Sequence, residues 1–323
     1  MTIWLDLLGS QTHYLGDRYR TRVVEAGDGA ALVLLHGVGG HAEAWSRNVV
    51  RLGARYRAMA IDLLWHGYSA KPPFEDAVPS YAGQVLDLLD SQGIERAHIE
   101  GESLGGWVAL WLALEHPDRV GKLVLNTTAG IRWKPGSIEE RPKEGRELLR
   151  TRSLAAIDDP NAETIRRRLE WLMASPDRVT DELVEVRRRI YADPEIRPAL
   201  RTVFENSFGG GSGPSRQIPE ERLAEVRAET LVLWSDRNPG TGPDVGKAIA
   251  SRIPRARFHC VADAAHWPQW EHPEEHDQVV LDFLEGSGEP RGGAPVNQAE
   301  GSGEPPGGAP VNQAEGSREP QGL

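Results

Sequence analysis

Short β-branched and apolar runs alternate with helically spaced stretches through the first 285 residues. The clearest predicted strands are residues 31–35, 57–61, 97–100, 122–126, 230–234 and 257–261. Between them lie segments such as residues 81–91, where Tyr81, Val85, Leu88 and Leu89 recur at the spacing of one helical face. Strand and helix in alternation predict parallel βαβ units, and so an α/β fold whose central sheet is mostly parallel.

The alternation breaks once. From about Ile131 to Gln217 no strand is predicted, and the segment is charge-dense and helix-like, carrying 17 of the 37 basic residues. It ends in the turn-rich Phe208-Gly209-Gly210-Gly211-Ser212-Gly213-Pro214. This predicts a helical cap, residues 131–217, inserted over the C-terminal edge of the sheet, where open α/β sheets bind ligands. Residues 1–130 and 218–285 are then the core. Beyond them, residues 286–300 read GSGEPRGGAPVNQAE, residues 301–315 read GSGEPPGGAPVNQAE, and a broken third copy follows. Such a repeat has too few large apolar side chains to offset chain entropy, which predicts a disordered tail over residues 286–323.

Composition narrows the function classes. A formal charge of −11 argues against a nucleic-acid partner, since binding the phosphate backbone rests on clustered Lys and Arg. The single cysteine, Cys260, excludes an internal disulfide and fits a reducing compartment; its apolar strand predicts buried packing. The N-terminus has no basic region, and Asp6 interrupts its short apolar run, so it does not read as a signal peptide. No apolar run approaches the length of a membrane span. The expectation is a cytoplasmic protein acting on a small molecule, compatible with a homo-oligomer.

The strongest chemical signal is Gly101-Glu102-Ser103-Leu104-Gly105-Gly106, between a predicted strand and a predicted helix. This is the G-x-S-x-G pattern in its strand–turn–helix context, in which a serine nucleophile sits on a strained turn. Glycines two residues to either side avoid a collision of Cβ atoms, and the helix N-terminus favours developing negative charge. A second element, His36-Gly37-Val38-Gly39-Gly40, follows the first apolar strand. Together the backbone N–H groups of Val38 and Leu104 are expected to form an oxyanion hole, in which losing one donor typically costs about 10²–10³ in rate. His36 itself reads as a side chain that holds the loop.

The general base is expected from the loop after the last strand, Ala265-His266-Trp267-Pro268-Gln269-Trp270-Glu271. His266 fits the chain order Ser…Asp…His and would take the Ser103 proton. His66 sits in a turn with a packing role, while His272 and His276 are expected on an exposed terminal helix. No histidine pair has persuasive metal-ligand spacing, and neither metal nor cofactor is called for. The acid should follow the strand ending at Trp234, where Asp236 is the only carboxylate of Ser235-Asp236-Arg237-Asn238-Pro239. Asp236 could orient His266, or simply form the turn.

On these motifs the chain resembles the α/β-hydrolase superfamily and, within it, the meta-cleavage product hydrolases. The narrower resemblance rests on His266-Trp267-Pro268-Gln269-Trp270-Glu271-His272 and on Thr180-Asp181-Glu182-Leu183-Val184-Glu185-Val186-Arg187. It implies carbon–carbon bond hydrolysis in 2-hydroxy-6-oxo-hexa-2,4-dienoates. Arg187 would then clamp the substrate carboxylate, and Trp267 would wall the pocket; alternatively Arg187 belongs to a solvated run, Arg187-Arg188-Arg189. Three positions depart from that pattern. Glu102 and Arg47 stand where those hydrolases carry Asn, and the usual acid position, four residues after the strand-ending Trp, holds Asn238. Asn238 is thus an alternative orienter of His266. A carboxylesterase or lactonase with the same machinery and a non-catalytic binding protein are the other readings.

Overall fold

The computed structural model describes residues 2–138, 144–208 and 216–286. The repeat tail from residue 287 and the turn at residues 209–214 lie outside the described residues. Described residues fall within one compact unit.

Among the described residues ten strands form, β1 (Gln11–Leu15), β2 (Thr21–Ala26), β3 (Ala30–Leu35), β4 (Tyr56–Ile61), β5 (Ala97–Glu102), β6 (Val120–Asn126), β7 (Ile131–Arg132), β8 (Ile218–Pro219), β9 (Thr230–Ser235) and β10 (Ala256–Val261). Eight of them make one sheet in the order β1-β2-β4-β3-β5-β6-β9-β10. Its pairs from β4 through β10 are parallel, while β2 runs antiparallel to both β1 and β4. All six predicted strands are present, each within a residue or two of its expected bounds. The antiparallel pair β1–β2 was not anticipated. Its outer strand is half exposed and mixed in polarity, so it lacks the apolar run that betrays a buried strand.

Successive side chains of a strand point to opposite faces, and the core divides accordingly. Leu32 and Leu34 join one apolar cluster with Val49, Leu52, Val280 and Phe283; Val33 and Leu35 join the other with Val85, Leu88, Val108 and Leu112. Helices therefore cover both faces, as a parallel sheet requires. Cys260 is only half-buried rather than packed inside, because β10 is the outermost strand of its edge. Among the described residues no helix is long and apolar enough to cross a membrane.

The described residues between β7 and β8 are mostly helical, although β7 itself falls where no strand was predicted. The helices of this segment are Glu144–Asp158, Ala162–Glu170, Asp181–Ala192 and Ile196–Phe208. The two-residue strands β7 and β8 pair with each other and so close the base of the insertion. Among the bonds that fasten this segment to the loops of the core, Tyr191 Oη donates to the Gly39 carbonyl (2.8 Å), and the His266 amide donates to the Leu172 carbonyl (2.9 Å).

Candidate active site

β5 ends at Glu102, and the helix Leu104–Glu115 begins two residues later, leaving Ser103 alone in the turn at φ 53°, ψ −110°. A non-glycine residue at positive φ costs free energy that only the surroundings can hold in place. Here the surroundings are backbone: the Ser103 amide donates to the Asn126 carbonyl (3.0 Å), and its carbonyl accepts from Ala129 (3.0 Å) and Trp107 (3.1 Å). The predicted need for glycines is met sterically. A Cβ on Gly101 would lie 2.2 Å from the Gly105 backbone, and one on Gly105 would lie 2.3 Å from the Leu35 carbonyl. As the first helical residue, Leu104 has an amide without an intrahelical partner.

The loop after β3 is pinned by His36, which is fully buried. Its Nε2 accepts from the Leu63 amide (3.0 Å), so Nδ1 carries the hydrogen and donates to the Gly37 carbonyl (2.7 Å). Burial lowers its pKa to about 3, and the ring is neutral. His36 therefore holds the loop, as read from the sequence, and His66 packs against it at 5.0 Å between ring centroids. Val38, two residues on, borders a small cavity with Ser103, His266 and Trp267.

His266 arrives from the loop after β10. Its Nδ1 faces Asn238 Oδ1 at 2.7 Å, and its Nε2 lies 3.1 Å from Glu102 Oε1. Asn238 is buried and held by its own amide, whose Nδ2 donates to Thr241 Oγ1 (2.7 Å). The expectation for Asp236 is thereby corrected. Its side chain is exposed and accepts from the Ala264 amide (3.2 Å) instead of meeting His266. The reason is local. The Asp236 amide continues the β9–β10 ladder to the Val261 carbonyl (3.1 Å), which turns the next side chain outward, and only two residues later does the chain face inward. Asp236 braces the histidine loop from outside.

Arg187 is buried, with 1 % exposure, whereas Arg188 and Arg189 turn outward to Glu185. Its guanidinium lies 5.1 Å from the Trp267 ring, and its Nε and Nη2 have no hydrogen-bond partner. The solvated alternative is therefore excluded. Arg47 instead crosses to the Trp270 carbonyl (2.5 Å) and stacks on that ring. His276 also departs from expectation. It is fully buried, because the terminal helix Pro273–Glu285 turns His276, Val280 and Phe283 inward as one face.

The family model for the alpha/beta hydrolase fold matches residues 30–273. The chain belongs to the α/β-hydrolase family. Among relatives of this hydrolase is a 2-hydroxy-6-oxononadienedioate/2-hydroxy-6-oxononatrienedioate hydrolase from Paraburkholderia phymatum, 34 % identical over 277 residues, covering 83 % of this chain and 92 % of its own. A 2-hydroxy-6-oxo-6-phenylhexa-2,4-dienoate hydrolase from Burkholderia cepacia is 31 % identical, covering 82 % and 91 %. A solved structure of the latter kind, from Rhodococcus sp. strain RHA1, superposes with a TM-score of 0.74 at 25 % identity over 85 % of this chain and 99 % of that one. A bacterial membrane phospholipase A superposes as well, TM-score 0.74 at 26 % identity, over 88 % and 89 %. The resemblance to meta-cleavage product hydrolases stands, and the chain is a hydrolase.

Two charged side chains of this hydrolase's cavity were missed from the sequence. Glu102 was noted only as a departure at its position, and nothing in a linear reading places its carboxylate against His266. Arg168 lines the cavity too. Its signal was present: Ile165, Arg168, Leu169 and Leu172 share one helical face, and the arginine interrupts an otherwise buried apolar stripe.

Proposed function

We propose that this hydrolase attacks a carbonyl carbon with Ser103 and cleaves a carbon–carbon bond in a ring-fission product of the 2-hydroxy-6-oxo-hexa-2,4-dienoate type. Ser103 is the nucleophile, and His266 takes its proton and later activates water. Val38 and Leu104 amides hold the oxyanion. Asn238, in place of an acid, orients the ring through its amide oxygen. Glu102 faces Nε2, where a carboxylate stabilises the positive charge that His266 gains on taking the proton. Arg187 binds the substrate carboxylate, and Trp267 walls the site. Before attack, the substrate dienol must become a ketone, since only then are an electrophilic carbonyl and a stabilised leaving carbanion both present.

One observation carries this reading. Against Trp267, which lines the Ser103 cavity, Arg187 is fully buried with two N–H-bearing nitrogens unpartnered, and a buried guanidinium without a hydrogen-bonded counter-ion suits a carboxylate ligand. The relatives named above act on such carboxylates, one a dioate and the other a phenyl-substituted acid. The likeness to a phospholipase favours a second reading, ester hydrolysis by the same groups. Mixing the purified protein with a yellow ring-fission dienolate and, separately, with a p-nitrophenyl ester tests both. Fast bleaching with feeble ester turnover is expected, and the reverse pattern overturns the carbon–carbon reading. Labelling of Ser103 by a fluorophosphonate probe, lost in Ser103→Ala, is expected under either.

A further inference from the structure

The Val38 amide assigned to the oxyanion shares a planar trans peptide with the Gly37 carbonyl. The N–H and C=O of such a unit point in opposite directions, so fixing one aims the other. Two donors hold the Gly37 carbonyl, His36 Nδ1 (2.7 Å) and the Gly40 amide (2.9 Å). The Gly40 amide in turn shares its peptide with the Gly39 carbonyl, and that carbonyl accepts from Tyr191 Oη (2.8 Å). Tyr191 is therefore the first member of a series that runs through two rigid peptide planes. Its hydroxyl donates to the Gly39–Gly40 peptide, that peptide donates to the Gly37–Val38 peptide, and the free end of the second is the Val38 N–H. Gly39 sits at φ 72°, and a Cβ there would come 2.5 Å from Tyr191 Oη, so the hydroxyl and the turn meet with no space between them. The whole series is dry, since Tyr191 is 1 % exposed and Gly39 is buried. In such surroundings each hydrogen bond polarises the next and strengthens it as a donor.

We propose that Tyr191 is a positioning residue for the oxyanion hole, its hydroxyl aiming and polarising the Val38 N–H through the Gly37–Gly40 turn. This rests on Val38 being an oxyanion donor, as assigned above. A phenylalanine would fill the same volume, so what the hydroxyl adds is direction at Gly39. Arg187 lies one turn earlier on the same buried helix face, its guanidinium 5.9 Å from the Tyr191 ring. One helix, Asp181–Ala192, thus carries both the group assigned to the substrate carboxylate and the group that sets the donor. Because Tyr191 lies between β7 and β8 and Val38 in the loop after β3, the donor is fully set only with that helix seated on the loop.

The test compares Tyr191→Phe with Glu182→Ala. Glu182, near the start of the same helix, makes a separate tie to the rest of the molecule by accepting from the Ile3 amide (2.7 Å). Thermal melting establishes that both variants are folded. In Tyr191→Phe, kcat on a p-nitrophenyl ester and on a ring-fission dienoate is expected to fall about ten- to a hundredfold with KM nearly unchanged, because the loss is confined to the transition state. Inhibition by a phenethyl trifluoromethyl ketone, which adds to Ser103 and places an oxyanion in the hole, should weaken by a similar factor. Binding of the matching methyl ketone, which reports the ground state, should not change. Glu182→Ala should leave all of these as in the wild type. A loss in KM instead of kcat, equal weakening of both ketones, or an equal effect of Glu182→Ala overturns the proposal and makes Tyr191 a fastener of the helix alone. The two ketones also separate it from the carbon–carbon reading. If no dienoate is cleaved yet Tyr191→Phe selectively weakens the trifluoromethyl ketone, the carbon–carbon reading falls and the role of Tyr191 stands. If dienoates are cleaved and Tyr191→Phe changes neither kcat nor the trifluoromethyl ketone, the role of Tyr191 falls alone.

Discussion

His266 has an oxygen on either side of its ring, the Asn238 amide at 2.7 Å from Nδ1 and the Glu102 carboxylate at 3.1 Å from Nε2. A neutral amide can orient a ring but contributes no charge, so the negative charge of this site stands on the Ser103 side. Asn238→Ala is expected to lower kcat about tenfold, the worth of one neutral hydrogen bond, whereas Asp236→Ala should change it by less than about threefold. Steady-state kinetics on one substrate decide this, and the opposite order would restore Asp236 as the orienter. For Glu102→Gln, loss of a charged partner predicts a fall of about ten- to a hundredfold in kcat. Adding Asn238→Asp to that variant should recover part of the loss, because it returns a carboxylate to the ring from behind. If the double variant is no better than Glu102→Gln alone, the charge of Glu102 is not what His266 uses.

At the scale of elements, the site is made by a strand and a helix meeting without room for a side chain. Gly105 packs against the Leu35 carbonyl of β3, and a Cβ there would approach it to 2.3 Å. Because the obstacle is backbone within a central strand, it cannot swing aside. Gly105→Ala is expected to destabilise the fold by about 1–3 kcal/mol, read from the urea midpoint, and to slow fluorophosphonate labelling as Ser103 shifts. At Gly37 the added Cβ would instead meet Glu102 Oε2 at 2.4 Å, so that position governs where the carboxylate lies. The cap contributes through its own helices, since the inward residues Arg168 and Arg187 each interrupt an apolar face.

Across the whole molecule, buried histidines set the pH limits of stability in opposite senses. His36 and His66 are buried, and burial lowers each pKa to about 3. Their contribution is complete above an ordinary histidine value near 6.5 and is lost as pH falls from there toward 3, because the unfolded chain then takes up protons that the fold refuses. His276 behaves the other way. Burial opposes its charge, but Glu100 at 2.7 Å and Asp277 at 2.9 Å override it and raise the pKa to about 10. That contribution is complete below about 6.5 and fades as pH rises toward 10. Thermal melts should therefore show the largest gap between wild type and His276→Gln near pH 6, narrowing toward pH 10. A gap that widens with pH would mean that His276 is buried neutral.

The strands were legible because a parallel sheet covered on both faces needs continuous apolar runs, and runs such as Leu32-Val33-Leu34-Leu35 survive in one dimension. The serine turn was legible for a similar reason: steric exclusion at Gly101 and Gly105 dictates residue type directly. The partner of His266 was not, since Asp236 and Asn238 sit two residues apart and only the path of the chain after β9 selects which faces inward. Nor was the buried state of His276, which reads as an ordinary solvated residue until its helix face is docked. The sequence by itself determined the architecture and the strained serine turn, because both follow from local pattern and backbone sterics. The tertiary structure decided which polar groups meet within the cavity, because charge pairing acts through space between residues that the chain holds far apart.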